Sequence, residues 1–239
     1  MPQLAEALLF SLLAGAMIPL GGILAQRENI RPNWLEQEFR HSVIAFGGGV
    51  LLAAIAFVLV PGGTADLPAW ASMAAMGAGG IAFARLDLWI AQRLGKAGQL
   101  VAMLADFLPE AVALGALFAT GSEAAPLLAL MIGLQNLPEG FNAYRELAAA
   151  GHYGPRRVLT VFLACAALGP LAALAGLVWL ATAPAVTGAL MLFAAGGLLY
   201  LIFQDIAPQT PLDRRWAPPL GAVAGFMAGL LGHLLIGVQ

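Results

Sequence analysis

The sequence predicts an all-α fold, a polytopic membrane protein with eight transmembrane helices in a single domain over residues 1–239. Three observations predict this class. Of the 239 residues, 61% are hydrophobic and only 10% are charged, whereas an ordinary soluble domain carries about 25% charged residues. Apolar runs of about 20 residues recur along the chain, and that is the length an α-helix needs to cross a bilayer. All eleven Lys and Arg residues fall near alternate ends of these runs.

The predicted helices are separated by short segments with Pro, Arg or polar residues. The stretches from Ser42 to Val60 and from Trp216 to the C-terminus contain no charged residue. The uncharged stretch from Val158 to Gln204 is too long for one crossing, and it divides naturally at Ala181–Pro184. The predicted spans are 4–25, 41–61, 70–92, 99–120, 125–146, 157–181, 185–206 and 217–237. Trp34 is assigned to the loop before the second span, where it and Phe39 could form an interfacial segment.

The basic residues predict the orientation. Loops on one side of the predicted bundle hold every one of them: Arg27, Arg31, Arg40, Arg85, Arg93, Lys96, Arg145, Arg156, Arg157, Arg214 and Arg215. By the positive-inside rule, we expect these loops to be cytoplasmic and both termini to face outward. No basic residue precedes Arg27, so the first run is predicted to be a retained helix and not a signal peptide.

Composition and missing motifs exclude several function classes. The net charge of −2 indicates no nucleic-acid partner, and the single cysteine, Cys165, cannot form an intrachain disulfide. No Walker-type phosphate loop is present, which excludes a nucleotide-driven pump within this chain. The 29 glycines are interpreted as positions where helices approach closely, because small residues fill helix interfaces in membranes.

Two central helices carry acidic side chains at membrane depth, where each charge costs about 2.5–3.5 kcal/mol. The fourth predicted helix contains Asp106 and Glu110 around Leu-Pro-Glu, and the fifth contains Gln135 and Glu139 around the same tripeptide. Each segment therefore places an oxygen-bearing side chain four residues before its Glu. Residues at i and i+4 share one helical face, so the members of each pair point together.

The short connection between these helices makes them antiparallel neighbours. At about 1.5 Å per residue, Asp106 and Glu139 both lie about 10 Å from the cytoplasmic helix ends, and Glu110 and Gln135 both lie about 16 Å from them. If the two faces meet, Asp106 is level with Glu139, and Glu110 is level with Gln135. Pro109 and Pro138 each free a backbone carbonyl one turn earlier, which can open room beside a site.

These acids need a balancing positive charge, and no basic residue lies at their depth, since Arg145 is nearer the cytoplasmic edge. Protons, a bound cation, or both in alternation can supply it. The simpler alternative is that the prolines only bend the helices and the acids are protonated and hydrogen-bonded. Three acids and a Gln at matching depth favour the cation site.

At these residues the chain resembles the ZIP family of divalent-metal transporters, whose metal ligands lie in segments similar to His-Asn-x-Pro-Glu-Gly on helices 4 and 5. Weaker similarity extends over most of the chain. It includes Gly48–Leu52 with Leu59–Pro61, Leu86-Asp87, Gly169–Leu171, and Leu199-Tyr200 with Asp205–Pro208. The resemblance implies an eight-helix fold with both termini outside, and it also implies a homodimer.

The resemblance implies a primary metal site made of Asp106, Glu110, Gln135 and Glu139, with Asp106 in place of the usual His. Asn136 would contribute to an adjacent second metal position. The chain departs from the family there, because Phe107, Gly169 and Gly62 replace an Asn and two Glu residues. We therefore expect one metal to be bound at a time. Gln204 and Asp205 correspond to a cytoplasmic exit path, or else to interface residues.

The expected ligands are all oxygen atoms, which favours Mn²⁺ or Fe²⁺ over Zn²⁺, although carboxylates do bind zinc. The three histidines, His41, His152 and His233, are expected to be structural. Asp87 and Glu146 are expected to be solvated or paired at the membrane edge.

The predicted function is secondary transport of a divalent cation into the cytoplasm, with the metal as substrate and no permanently bound cofactor. Two alternatives remain. A degenerate family member could bind metal or regulate without transport, as Phe107 and Gly169 suggest. A membrane-embedded hydrolase with paired acids is a further alternative, although the chain lacks an HExxH helix and a Ser-His arrangement. Minimal loops favour a bacterial plasma membrane, and the partners are the cation, lipid and a second protomer.

Overall fold

A computed structural model describes residues 2–28, 33–93, 98–149, 151, 153–210 and 216–236. These residues form helices and turns and contain no strand, which confirms the all-α class. The long helices are α1 (Pro2–Arg27), α2 (Asn33–Ala54), α3 (Ala69–Arg93), α4 (Gly98–Thr120), α5 (Ala124–Ala149), α6 (Pro155–Ala175), α7 (Pro184–Leu201) and α8 (Ala217–Ile236). Arg31, Lys96, His152, Arg214, Arg215 and residue 237 of the last predicted span lie outside the described residues.

Three of these helices continue without a break through a π-helical turn, a feature that the sequence analysis did not anticipate. The π turn Ile55–Leu59 extends α2 and leads into Val60–Thr64, and Gly176–Leu180 extends α6. In α7 the π turn Ile202–Ile206 is followed by the 3₁₀ turn Ala207–Gln209. Such π turns are rare and occur frequently at functional sites.

The helix boundaries agree with the predicted spans within a few residues, with one exception. The second helix begins at Asn33, so the prediction that Trp34 belongs to a loop was wrong. Polar residues fill its first two turns, and an apolar-run criterion does not detect a helix that continues beyond the lipid. Phe39 packs edge-on against Phe141 of α5, with ring centroids 6.1 Å apart, which anchors this extension.

Seven helical segments of the described chain are long and apolar enough to cross a membrane. The segment α5 has the length but is not among the seven, because Gln135, Asn136 and Glu139 lower its hydropathy. Many large side chains on the outer surface are apolar, including Trp179 and Leu235, which are 76% and 77% exposed. The structure is therefore a helical protein with several segments suited to a bilayer.

Glycines bring the helices together in four parallel pairs. In each pair a glycine of either helix lies directly against the other backbone, where an added Cβ would collide with a carbonyl oxygen. The reciprocal glycines are Gly21 and Gly140 (α1 and α5), Gly49 and Gly225 (α2 and α8), Gly79 and Gly196 (α3 and α7), and Gly115 and Gly176 (α4 and the end of α6). The predicted packing role of glycine is confirmed, as expected where small residues let helices approach.

The pairs assemble into two groups of helices. Helix α1 packs on α4, α5 and α6, and α4 packs on α6, which defines the first group. The second group contains α2 against α8, and α3 against α7. The groups meet mainly where α2 contacts α5 and α4 contacts α7. Each parallel pair joins either two odd-numbered helices or two even-numbered helices. An alternating up-and-down path requires this, because its odd-numbered helices all run in one direction and its even-numbered helices in the other.

We expect Gly79→Ala to lower the thermal stability of the purified protein in detergent. The added Cβ would meet the Phe193 backbone and force α3 from α7, and such overpacking typically costs about 1–3 kcal/mol. Gly77→Ala is a matched control two residues away, because a Cβ there meets nothing within 4 Å. Thermal unfolding followed by size-exclusion chromatography measures both, and equal unfolding temperatures would contradict the packing role of Gly79.

Candidate metal centre

The predicted site residues lie at the centre of the first helix group, on facing sides of α4 and α5. Both helices run without interruption through their prolines, Pro109 and Pro138. The ring of Pro138 lies against Gly47 of α2, so the bulky proline is accommodated by a glycine of the neighbouring helix. The two Leu-Pro-Glu segments are thereby held side by side in continuous helices.

The structure confirms the predicted pairing across the two helices. The amide Nε2 of Gln135 donates a hydrogen bond to Oε2 of Glu110 at 2.6 Å, and both residues are fully buried. One turn away, the carboxyl groups of Asp106 and Glu139 lie beside each other and line the same cavity. Two ionised carboxylates offer only acceptors, so a proton or a cation between them would relieve their repulsion.

One oxygen of each of these side chains remains without a hydrogen-bond partner although it is buried. The set comprises Asp106 Oδ1, Glu110 Oε1, Gln135 Oε1, Asn136 Oδ1 and Glu139 Oε2. Leaving a buried acceptor unsatisfied costs about 1–3 kcal/mol, and most native proteins keep such groups few. Five of the eight buried unsatisfied atoms of the described residues are oxygens on these motif residues; the others are Arg40 Nε, Asn142 Oδ1 and His233 Nδ1. Such a concentration of free oxygens is the chemistry of a site for a positive charge.

The side chains are arranged as two stacked pairs and not as a closed cage. In the described part of the chain, no three His, Cys, Asp or Glu residues gather in a way that would hold an ion. In this arrangement Asp106 and Glu139 are engaged with each other, and Glu110 is engaged with Gln135. A cation between Asp106 and Glu139 would have carboxylate oxygens on both sides.

Asn136 is buried beside this site but is attached to a different helix. Its Nδ2 donates to the carbonyl oxygen of Ala14 in α1 at 3.0 Å, so the side chain bridges α5 to α1. The adjacent space is filled by Phe107, which is 1% exposed. Its ring lies between Gly15 of α1 and Gly169 of α6, and a Cβ at position 169 would come within 2.5 Å of Phe107 Cζ. Phe107 and Gly169 thus fit together as a pair.

A cavity of about 250 Å³ leads from the site toward the helix ends that carry the basic residues. Asp106 and Glu139 line its inner end, whereas Glu110 and Gln135 lie deeper and do not reach it. Five further acidic and amide side chains line it among mostly apolar residues: Asp87, Asn142, Glu146, Asp205 and Gln209. None of the described residues that line the cavity is basic.

Sequence reasoning assigned no role to Asn142, and it placed Asp87 and Glu146 at the membrane edge. On α5, positions 135, 139, 142 and 146 recur at spacings of four and three, so they form one helical face. This spacing is the sequence feature that could have placed Asn142 and Glu146 on the same face as the predicted ligands. Asp87 has a protein partner, because Tyr200 Oη donates a hydrogen bond to its Oδ2 at 3.0 Å.

The two residues predicted for an exit path face different sides of their helix. Asp205 lies in the π turn of α7 and lines the cavity, and its backbone carbonyl accepts a hydrogen bond from Gln209 Nε2 at 2.6 Å. Gln204 is exposed on the outer surface of the same turn and does not line the cavity. Only Asp205 is therefore placed to meet an ion that moves through this space.

The described histidines lie away from the site. His41 Nδ1 is 2.6 Å from the Gln37 carbonyl oxygen of its own helix. The His233 ring stacks on Phe57 with a centroid distance of 4.8 Å. Neither residue lines the cavity, which leaves the paired acids and amides as the site's ligand-bearing groups.

No model of a known protein family matches the chain, and no curated protein shows significant similarity to it. The resemblance to the ZIP family therefore stays a prediction that depends on the motif residues and the topology.

We expect Mn²⁺ to raise the unfolding temperature of the purified protein, because a ligand that binds only the folded state stabilises it. At 100 times the dissociation constant the effect is about 2.7 kcal/mol. Asp106→Asn and Glu139→Gln should lose this response, since each removes a ligand charge. Differential scanning fluorimetry in EDTA and in MnCl₂ measures the shift.

The matched control is Glu123→Gln, which removes an exposed carboxylate from the loop between α4 and α5. It should keep the full Mn²⁺ response. An equal response in the wild type, Asp106→Asn and Glu139→Gln would place the binding site elsewhere.

Proposed function

We propose that this protein is a secondary transporter of divalent transition-metal cations and a divergent member of the ZIP family. The observation that carries the proposal is the set of buried, unpartnered oxygens on paired side chains of α4 and α5. Buried polar groups of this kind at membrane depth are expensive and typically functional. An acidic cavity that continues from them supplies a path for a cation.

The proposed topology has eight membrane-spanning helices with both termini outside. The alternating helix directions and the restriction of Lys and Arg to one set of loops support it. The segment α5 would cross the membrane despite its polar residues, because its Gln135 and Asn136 are fully buried within the protein. On this assignment the cavity opens to the cytoplasm, and the described conformation is the inward-facing one.

The two helix groups suggest how access would alternate. The site residues belong to α4 and α5 of the first group, whereas Asp87 and Asp205 of the cavity belong to α3 and α7 of the second. A shift of the first group against the second would close the cavity and open the other side. This is the general behaviour of transporters whose sites lie near the midplane between helix bundles.

The cation would enter between Asp106 and Glu139, in exchange for protons on these carboxyl groups. Both carboxyl groups would then turn toward the ion, and Glu110 and Gln135 would complete an all-oxygen ligand set. Carboxylate and carbonyl ligands suit Mn²⁺ and Fe²⁺ better than they suit softer ions. We therefore propose that Mn²⁺ or Fe²⁺ is preferred over Zn²⁺.

The close fit of Phe107 with Gly15 and Gly169 supports a single metal position. The phenyl ring leaves no room for a side chain at residue 169, so ligands for a second ion are missing beside Asn136. A homodimer in a bacterial plasma membrane is what the family resemblance implies for the assembly and its location. Metal binding without uptake would instead support a regulatory, non-transporting protein.

Proteoliposomes with the purified protein are expected to take up Mn²⁺ and Fe²⁺ saturably, and Zn²⁺ and Cd²⁺ more weakly. Glu139→Ala should reduce the initial rate by more than about 100-fold, because even the loss of a residue that only orients a metal ligand typically lowers affinity or activity about 10–100-fold. Uptake is measured with radioactive tracers of each ion at equal protein density.

Glu123→Ala is the matched control and should transport as the wild type does. Failure of the folded wild-type protein to take up any of the four ions would contradict the transporter proposal. Equal uptake by wild type and Glu139→Ala would contradict the assignment of Glu139 to the metal site.

A further inference from the structure

Asn142 presents a buried oxygen to the cavity that no protein group satisfies. The residue lies on α5 one turn beyond Glu139, and it is 6% exposed. Its Nδ2 donates to Oε1 of Glu146 at 3.2 Å, whereas its Oδ1 is buried and has no hydrogen-bond partner. An amide held at one end, with its oxygen buried and free in an acidic cavity, is arranged as a cation ligand.

Glu146 stands next to this oxygen, and the neighbouring Arg145 forms its ion pair with a different acid. Arg145 Nη1 donates to Glu28 Oε2 at the end of α1, and its guanidinium lies over the Phe141 ring. The Glu146 carboxylate lines the cavity together with Asn142. The pair therefore offers a carboxylate and a carbonyl oxygen from successive turns of one helix.

The opposite wall of the cavity adds negative charge at the same level. Asp205 of α7 is close enough to both Asp87 and Glu146 to interact with them electrostatically. Among the described residues no cationic side chain lines this space. A divalent ion that leaves Asp106 and Glu139 would thus enter a region of negative potential in which Asn142 and Glu146 are the first ligands on α5.

We infer that Asn142 and Glu146 form a second divalent-cation site, in the cytoplasmic cavity and separate from the Asp106–Glu139 site. The inference rests on the proposed transport function and adds an intermediate position to it. Along the α5 axis the step from Glu139 to Asn142 is about 4.5 Å, and the step to Glu146 about 6 Å more. The ion would therefore advance along a single helical face, exchanging one oxygen ligand for the next.

This second site is weaker than the first because it has fewer protein ligands. Cation affinity rises with the number of charged ligands and the rigidity of the site, and Asn142 with Glu146 supplies one charge where the deeper site supplies three acids. Water reaches the cavity and completes the coordination. A weak site next to a strong one favours release of the ion toward the cytoplasm, since transport requires that the ion be bound weakly enough to dissociate.

The test measures Mn²⁺ binding to the full chain in nanodiscs by electron paramagnetic resonance, with MnCl₂ as the only added ligand. A Glu110→Gln/Glu139→Gln background removes two of the three acids of the main site. In this background we expect one weaker Mn²⁺ per protomer to remain. Adding Asn142→Leu should weaken that binding by at least about 10-fold, and adding Asn142→Asp should tighten it about 10-fold, because ligand charge sets affinity.

Gln209→Leu in the same background is the matched control, since Gln209 lines the same cavity but is only half-buried, and its oxygen, unlike that of Asn142, is not a buried unpartnered atom. It should leave Mn²⁺ affinity unchanged. Absence of any residual Mn²⁺ binding, or residual binding that Asn142→Leu and Asn142→Asp both leave unchanged, would overturn the second site. The Asn142→Asp variant keeps the size of the side chain, so its result stands even if Asn142→Leu does not fold.

The outcome is separable from that of the transport proposal. Wild-type protein that takes up Mn²⁺ but shows no residual site in the background variant would overturn this inference alone. Residual binding that depends on Asn142, in a protein that transports no metal, would support the second site and reject transport.

Discussion

Buried negative charge on α4 and α5 is the constraint on which the rest of the structure depends. Asp106, Glu110 and Glu139 lie in the protein interior, and no basic side chain among the described residues lines the cavity that reaches them. The chain meets this constraint only in part, because Gln135 donates to Glu110. Several buried oxygens remain unsatisfied, and in the proposed function a bound cation would satisfy them.

The glycine pairs explain how such a site can be built from apolar helices. Lipid supplies no hydrophobic force between helices, so close backbone contact has to hold them together. The contact of Gly21 and Gly140 fixes α5 on α1, and that of Gly115 and Gly176 fixes α4 on α6. Because α1 also packs on α6, the site helices form one unit. The cavity lies where the two helix groups meet, because residues of both groups line it.

Much of this arrangement was predictable from the sequence because it follows from simple periodicities. The positions of Lys and Arg predicted an alternating path, with which the directions of the parallel pairs agree. The spacing of Asp106 with Glu110 and of Gln135 with Glu139 predicted which side chains meet, since i and i+4 positions share a face. Hydropathy alone would have failed at α5, whose polar residues Gln135, Asn136 and Glu139 are the ones proposed to bind the cation.

Other features depend on contacts between distant segments and could not be predicted. The cavity ligand Asn142 is one turn from the motif, but its role depends on which helices leave space beside it. The extension of α2 to Asn33 lies in polar sequence and depends on the contact of Phe39 with Phe141. The π turn that places Asp205 has no sequence signature that we recognise. The fit of Phe107 against Gly169 became visible only when α4 and α6 were seen together.

The most direct test of the central claim is to locate the metal in a crystal of the protein grown with Mn²⁺. Anomalous diffraction at the Mn absorption edge identifies the ion without reference to the side chains. The account predicts a peak between α4 and α5 that is coordinated only by oxygens, from Asp106, Glu110, Gln135 and Glu139. A peak at another position, or an empty site at saturating Mn²⁺, would contradict it.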